Sequence, residues 1–486
     1  MRGRLPAVVS VFAALTWCLV ASMVFVLLDG VRVAAMGDFL EDRVHLTCRN
    51  VMANYQRELY QNYGILGIDE AYSQFEDGSE DVLESMVERE LDYEKELERN
   101  NRAVHSMILA RVNLLDYPRV EITDGTYQVL SDGGGEVFLR QAAAYMMALF
   151  PEELTEKILG EYSDHSLFQE ENDIGEIYSG AMSALQSASQ LLEQSEESDE
   201  SINALEDNAM TEVERRRNSP VLDLVVPNQK ISTAYFNTEY CPSKRTLKVG
   251  TMPAASITMQ EKLLGICYGN RMFTNYLSDK QILGEGMSEE TPSETELRYQ
   301  MEYLIAGKDS DRENLSVVCS KLLVIREAVQ FSRYYADGNQ QAKAYAHAMA
   351  LVGFTGNPAL IKAVQLGFLA AWSFEDAQKD VQKLLSGEMI SLLGTAGSPQ
   401  YGYQDYLKLL LFAEPTRQMA MRSLDVIETH INLKLEEGSF QVDHTITAIQ
   451  GSAKAKLPWL FANLIMVPVE SWSICEKSVE WSEDYY

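Results

Sequence analysis

An uncharged apolar run near the N-terminus constrains the fold of this chain more than any other feature. Residues 5–28 form a stretch of 24 residues without a charged side chain, and its mildly polar members are Ser10, Thr16 and Ser22. A helix rises about 1.5 Å per residue, so this run reaches about 36 Å and exceeds the ~30 Å hydrocarbon core of a bilayer. We therefore expect one transmembrane helix that anchors a large polar body.

The charges on either side of this run predict its orientation. Arg2 and Arg4 precede the run, whereas Asp29 opens the other flank. Because short cytoplasmic flanks are enriched in Lys and Arg, we expect a single-pass protein of the cell membrane with a cytoplasmic N-terminus and an extracytoplasmic body. The alternative is a signal peptide cleaved after residues 33–35. The apolar region of a signal peptide is usually only about 7–15 residues long, which favours a retained anchor.

The net charge excludes one class of partner. The 486 residues carry 41 Lys and Arg against 72 Asp and Glu, which gives a formal net charge of −31. A surface this acidic repels phosphate backbones, so we expect no nucleic-acid binding. The length predicts two or three structural units.

The residues that usually hold metals or perform catalysis form no recognisable motif. The six cysteines are widely spaced with no CxxC pair, and the histidines form no HExxH pattern. No GxSxG, SxxK or GxGxxG motif is present. These absences argue against a disulfide scaffold, a zinc site and the common catalytic classes. We therefore expect no cofactor, no metal and no catalysis.

The apolar helix is predicted to continue beyond the membrane as an amphipathic helix. After Gly30 no proline occurs before Pro118, and apolar residues recur at spacings of three and four. This pattern predicts a nearly continuous helix over residues 5–62, ended by Gly64. The apolar stripe needs a partner, which is either the protein's own body or a helix of another subunit. The candidate assembly face comprises Met36, Leu40, Val44, Val51 and Tyr55.

The whole chain is predicted to be mainly α: an N-terminal transmembrane helix extending into an amphipathic helix, then a large helical body with a few short strands. Residues 1–62 form the anchor and its extension. Residues 63–217 form an N-terminal extracytoplasmic region with acidic helices and a β-hairpin at 119–130, turning at Asp124-Gly125. Residues 218–255 form an irregular connection. Residues 256–486 form a C-terminal helical region, with one strand expected at 440–449.

Residues 307–314 superficially resemble a calcium-binding loop. The segment lacks the glycine at the sixth position and the glutamate at the twelfth position that such loops use. A helix N-cap by Asp309 or Asp311 is the simpler interpretation.

Several charged residues lie on helices that are expected to form the core. Paired carboxylates can perform acid–base chemistry when they share a cleft, but interhelical ion pairs are the more common outcome. Glu302 and Arg326 are expected to meet between adjacent helices, and a cleft that also collects Glu375 and Asp380 would favour an enzyme. The candidate residues are Glu302, Arg326, Glu375, Asp380, Arg422, Asp425 and Glu428.

Several segments also resemble known families. Residues 3–35, which end in Asp29-Gly30-Val31-Arg32-Val33-Ala34-Ala35, resemble the N-terminus of TadE/TadG-like pseudopilins, minor components of Tad (Flp-type) pilus systems. Residues 53–65, 299–308, 323–327, 371–380, 384–387, 403–411 and 422–428 resemble an uncharacterised Gram-positive family that joins such an anchor to a large extracytoplasmic body. One departure is Val8, which stands where type IV pilins carry a glutamate. This departure argues against pilin-style processing.

The resemblance implies architecture and context rather than chemistry. We expect a membrane-anchored, extracytoplasmic structural or accessory component of a Tad/Flp-type pilus-like or secretion assembly. Its expected partners are the membrane and other subunits, contacted through the N-terminal helix. The alternatives are an envelope hydrolase that uses the helix carboxylates and an anchored receptor or adhesin.

Overall fold

The computed structural model describes residues 4–69, 120–150, 220–226, 231–278, 296–391, 399–435, 440–458 and 474–485. The acidic helices predicted within residues 63–217 lie outside these ranges. Within the described part of the chain, eleven helices and six strands confirm the predicted mainly α fold.

The helices range from 5 to 49 residues, and three of the six strands have only two residues each. The helices are α1 (Arg4–Met52), α2 (Arg57–Tyr63), α3 (Asp132–Leu149), α4 (Val221–Val225), α5 (Met259–Met272), α6 (Gln300–Ala306), α7 (Asp311–Ala336), α8 (Gly338–Val352), α9 (Pro358–Leu385), α10 (Tyr403–Ala413) and α11 (Thr416–Lys434). The strands are β1 (Ile68–Asp69), β2 (Val120–Val129), β3 (Ile390–Ser391), β4 (Gln400–Tyr401), β5 (Thr445–Pro458) and β6 (Ile474–Asp484).

The chain divides into two compact units, and neither is continuous in sequence. The first, called here the helix–sheet unit, comprises Met1–Gly133, Leu247–Ala255 and Leu435–Tyr486. The second, called the helical unit, comprises Gly134–Thr246 and Ser256–Lys434. The predicted linear division did not anticipate that the C-terminal segment joins the N-terminal helix.

The helix–sheet unit is built on α1, a single helix of 49 residues. It is the one described helix that is long and apolar enough to cross a membrane. Most large apolar side chains between Val9 and Leu28 are exposed, with exposed fractions of 47–75%. The predicted helix over residues 5–62 is interrupted after Met52, and α2 then ends at Gly64, which adopts the expected left-handed conformation at φ 66°.

The second half of α1 packs against an antiparallel sheet. β5 is the central strand: it pairs with β2 on one edge, and with β6 and the short β1 on the other. Met36, Leu40 and Val44 are at most 2% exposed. They share one core cluster with sheet residues that include Ile449 and Trp481. Burying each such side chain contributes about 1.5–3 kcal/mol, so this interface is a principal source of stability for the unit.

This packing corrects the predicted assembly face. Met36, Leu40, Val44 and Val51 lie in the core of their own chain, and only Tyr55 is exposed, at 37%. Of the two partners predicted for this stripe, the protein's own body is therefore the one that covers these four residues.

The sheet also corrects two predictions about strands. The hairpin expected at residues 119–130 is a single strand, β2, with an irregularity between Thr123 and Thr126 where Asp124 has φ 59°. The long strand β5 pairs with β2 on both sides of this point, so the Asp-Gly pair forms a bulge rather than a reversal. The strand expected at 440–449 instead spans Thr445–Pro458, and β6 follows it. Within the described part of the chain, the last α-helix ends at Lys434.

The helical unit is organised around two long helices, α7 and α9, which pack against each other. α8 packs on both, and α6 packs on α7. α9 begins with Asn357 as its cap and Pro358 in its first turn. Gly387 follows its end in a left-handed conformation at φ 91°.

The contact between β5 and β6 at Gly451 provides a test of the sheet. Gly451 lies directly opposite Trp481, and a Cβ at residue 451 would come within 2.5 Å of the buried indole ring. We expect Gly451→Ala to lower the free energy of unfolding of the full chain by about 1–3 kcal/mol, because the ring has no free space to enter. Thermal unfolding followed by circular dichroism in detergent would measure this loss.

Gly30→Ala is the matched control for this substitution. Among the described residues, no neighbouring group lies within 4 Å of the Cβ it would add, and α1 would gain about 0.5–1 kcal/mol of helix stability. Equal melting temperatures for the two variants would contradict the packing described at Trp481.

Candidate functional site

Several of the predicted candidate residues lie on or beside α6, a short helix that is almost entirely buried. Six of its seven residues are buried, including Glu302 and Tyr303 as well as its apolar side chains. A short helix in this position cannot leave its polar side chains in water, so each must find a partner inside the protein.

Glu302 is fully buried and is held by two hydrogen-bond donors. Its Oε1 accepts hydrogen bonds from the Tyr276 backbone N–H (2.9 Å) and from the Tyr403 hydroxyl (2.7 Å). Within the described residues Oε2 has no hydrogen-bond partner. Burial raises the pKa of Glu302 to about 7, although the two hydrogen bonds act in the opposite direction. The carboxyl is therefore partly protonated at neutral pH.

A second buried carboxyl, Asp425 on α11, lies on the other side of α6. Its Oδ2 accepts a hydrogen bond from the Tyr303 hydroxyl and its Oδ1 from the Ser243 backbone N–H, both at 2.8 Å. Burial raises the pKa of Asp425 to about 6, and the nearby Glu428 carboxylate adds to the increase. Glu428 itself forms an ion pair with Arg245 at 2.5 Å, so the predicted interhelical pairing is replaced by pairing with the connecting segment.

Arg326 on α7 forms the central ion pair of the unit, but not with Glu302 as expected. Its Nη2 lies 2.7 Å from Asp380 Oδ2, and its Nε donates to the same oxygen at 3.2 Å. Its Nη1 donates to the Tyr406 hydroxyl at 3.0 Å and to the Ser391 carbonyl at 3.1 Å. The side chain of Arg326 is 2% exposed. This guanidinium therefore ties α7 to α9 and α10.

Arg422 and Glu375 do not take part in the Arg326 ion pair and have different partners. Arg422 Nη1 donates to the carbonyls of Leu304 and Ile305 at 2.8 and 2.9 Å, where it neutralises the C-terminal end of α6. Glu375 forms an exposed pair with Lys379, one turn along α9. The structure thus brings Arg326 and Asp380 together, and leaves Glu302 and Glu375 in separate environments.

The segment that resembles a calcium loop is a helix start. Ser310, rather than Asp309 or Asp311, caps α7 by accepting from the Glu313 backbone N–H. Asp311 is buried and accepts from the backbone N–H groups of Arg298 and Tyr299. Asp309 accepts from the Thr238 hydroxyl. No cluster of metal-ligating side chains occurs among the residues that the structure describes.

Four of the described cysteines, which lie outside the apolar run, have the properties of core residues rather than nucleophiles. Burial raises the pKa of Cys48 and of Cys241 to about 12. Burial and the Glu302 carboxylate likewise raise the pKa of Cys319, and burial raises that of Cys267. The thiolate is the reactive form of cysteine, so these thiols are inert at neutral pH.

Sequence reasoning identified the charged residues but missed their tyrosine partners. Tyr276, Tyr303, Tyr403 and Tyr406 supply the hydroxyls or backbone groups that hold Glu302, Asp425 and Arg326. A signal was present on α10, where Tyr403 and Tyr406 share one face at a spacing of three in a leucine-rich helix. The pairing of Ser243 with Asp425 and of Arg245 with Glu428 could not be predicted from a helical pattern, because both residues lie in the irregular connection.

Chemically, this arrangement stabilises the fold of the helical unit. Each of the buried candidate charges is engaged by groups of the same unit, and the carboxyl with an unused oxygen is 0% exposed. Buried polar groups that are satisfied in this way specify one arrangement of the core.

The raised pKa of Glu302 predicts a pH dependence of stability. In the unfolded chain the pKa is near its ordinary 4.5, whereas in the fold it is about 7, which corresponds to about 3 kcal/mol favouring the protonated form. This contribution is complete below pH 4.5 and is lost as the pH rises through 7. Glu302→Gln keeps the shape without the charge. We therefore expect its melting temperature, relative to the unsubstituted chain, to increase between pH 5 and pH 8.

The difference in melting temperature between the two proteins at each pH removes the contributions of other titrating groups, including Asp425. It also removes any effect of the amide substitution that does not depend on pH. A difference in melting temperature that is the same at pH 5 and pH 8 would show that Glu302 does not change its protonation in this range.

The Arg326–Asp380 pair predicts a large loss of stability. Arg326→Ala leaves a nearly buried carboxylate without its cation, which costs about 3–5 kcal/mol. Lys379→Ala is the matched control on α9, because an exposed pair one turn apart is worth at most about 0.5 kcal/mol. Chemical unfolding of both variants would measure the two losses. Similar losses for both would refute a structural role for Arg326.

Comparisons with known proteins place this chain in a family without a described activity. The profile of a family of unknown function, DUF5702, matches residues 199–402 and 395–457, together just over half of the chain. No curated protein and no solved structure matches it. The matched range contains every buried charge described above, whereas the TadE/TadG-like resemblance of the N-terminus lies outside it and stays a prediction. The chain therefore belongs to the DUF5702 family.

Proposed function

We propose that this protein is a membrane-anchored, extracytoplasmic structural component of a Tad/Flp-type pilus-like or secretion assembly. The N-terminus is cytoplasmic and the body lies outside, in accordance with the basic residues that precede the apolar run. The protein acts by holding and positioning partners rather than by catalysis.

The division of α1 into two halves carries this proposal. The apolar residues between Val9 and Leu28 are largely exposed, while the residues from Met36 to Val51 that face the sheet are buried. One uninterrupted helix therefore has its C-terminal half fixed within a folded unit and its N-terminal half free to contact lipid or another helix. Such a helix transmits the position of a membrane partner directly to the body.

The exposed half also has a face suited to helix packing. Ser10, Ala14, Cys18 and Ala21 follow one another at spacings of four, four and three, which places small side chains along one side of α1. Membrane helices associate through faces of this kind, because small residues let two backbones approach closely. The resemblance of residues 3–35 to TadE/TadG-like proteins suggests that the neighbour is another subunit of such an assembly.

The alternative functions have less support. An envelope hydrolase requires an accessible acid or nucleophile. The buried carboxyls and thiols described above are enclosed, and Glu375 is engaged with Lys379 on the surface. No specific observation favours a receptor or adhesin.

The assembly role predicts crosslinks from one face of α1. A photoreactive amino acid placed at Ala14 in the native membrane should give crosslinks to another polypeptide, because this position lies on the small-residue face. The same amino acid at Phe12, which is 68% exposed on the opposite face, should give far fewer. At Leu40, which is 1% exposed, crosslinks should form only within the chain. Mass spectrometry of the products would identify the partner.

Equal yields from Ala14 and Phe12 would indicate random encounters rather than a specific interface. The absence of any product with another chain at Ala14 would leave α1 as a simple anchor and overturn the assembly role.

A further inference from the structure

The covered face of α1 begins where its apolar run ends. Leu27 and Leu28 are 59% and 48% exposed, whereas Asp29 is 0% exposed and Arg32 is 8% exposed. Asp29, Arg32 and Met36 are separated by three and four residues, so they lie on the face that continues through Leu40 and Val44. The body therefore contacts α1 from its first residue outside the apolar run, and no bare length of helix separates the two.

β6 runs alongside α1 with its beginning nearest to the apolar run. A Cβ at Gly37 would lie 3.2 Å from Cε of Lys477, near the start of the strand. Further along, Arg49 Nε lies 3.3 Å from Glu483 Oε1. At the end, the Tyr485 hydroxyl donates to the Met52 carbonyl. These contacts fix the direction and the register of β6 on the helix.

This register places one end of the sheet at the level of Gly30. From Lys477 back to Ile474, the strand covers three residues, or about 10 Å. The same length along a helix corresponds to about seven residues, which leads from Gly37 to Gly30. Pro458 of β5 pairs with Ile474, so both strands end at this level. Gly30 lies two residues beyond the apolar run.

The basic and acidic residues of β5 and β6 are unevenly distributed, with the basic residues toward the end beside Gly30. The only basic residues of β5 and β6 are Lys454, Lys456 and Lys477, all near the end at Gly30. Glu480, Glu483 and Asp484 lie toward the opposite end, and Glu476 is the one acidic exception. In a chain with a net charge of −31, this end of the sheet is the part of these strands suited to anionic headgroups.

α1 also lacks a joint at which the body could swing away. It is a single helix from Arg4 to Met52, and Gly30 lies within it. A helix that is continuous through the membrane boundary and buried immediately beyond it holds the helix–sheet unit at a fixed distance and angle.

We propose that the helix–sheet unit rests directly on the bilayer surface, with the ends of β5 and β6 that lie beside Gly30 at the lipid headgroups. The partner of this surface is the lipid bilayer itself, and the inference rests on the membrane anchoring proposed above. The contact orients the body relative to the membrane instead of leaving it on a flexible stalk.

Depth-dependent fluorescence quenching tests this geometry on the full chain in lipid nanodiscs. A genetically encoded fluorescent amino acid is placed at Glu476 or at Asp484, two exposed acidic positions on β6. They lie eight strand residues, or about 27 Å, apart. Nanodiscs contain phosphatidylcholine and phosphatidylglycerol, with a nitroxide quencher on the headgroup. We expect several-fold stronger quenching at residue 476 than at residue 484.

A third position separates failure of this inference from failure of the anchor. The same fluorophore at Trp17 should be quenched by a nitroxide in the acyl chains if the apolar run spans the bilayer. Quenching at residue 17 together with equally weak quenching at 476 and 484 would show a body that stands away from the membrane, and would overturn the inference alone. No quenching at residue 17 would overturn both the anchor and the surface contact.

Discussion

The burial of one face of α1 against the sheet is the constraint on which the helix–sheet unit depends. The stripe that includes Met36, Leu40 and Val44 covers sheet residues from a segment more than 400 positions away in sequence. Without α1 the inner face of β5 and β6 would be exposed to water, and without the sheet the second half of α1 would be an isolated amphipathic helix. Each element is thus stable because of the other.

The helical unit meets a different constraint, which is the satisfaction of buried charge. α6 is enclosed by its neighbours, so the carboxyls of Glu302 and Asp425 must be neutralised or hydrogen-bonded within the core. Tyrosine hydroxyls and backbone N–H groups perform this task for both carboxyls, while Arg326 pairs with Asp380. These charges look like a catalytic set in sequence, yet each is engaged by a different group of neighbours. A polar network of this kind favours one arrangement of the helices over its alternatives.

These two constraints support the same kind of function. A helical unit whose buried charges are enclosed and a helix–sheet unit built directly on α1 are both consistent with the proposed structural role. In the proposed assembly, the exposed half of α1 is the surface for a partner within the bilayer, and the end of the sheet beside Gly30 is the surface for the bilayer itself. Both surfaces belong to the helix–sheet unit, so a partner bound to one would be oriented relative to the other.

The sequence by itself determined the features that depend on local periodicity. The apolar run, the stripe along α1, the glycine after α2 and the capped start of α9 all arise from spacing and turn chemistry within a few residues. Only the tertiary structure decided the rest, because it depends on contacts between distant segments. β5 is rich in small residues such as Ala453 and Ala455, which give a weak alternating signal. The partner of the stripe, the bulge at Asp124 and the pairing of Arg326 with Asp380 are each set by a neighbour that the local sequence does not contain.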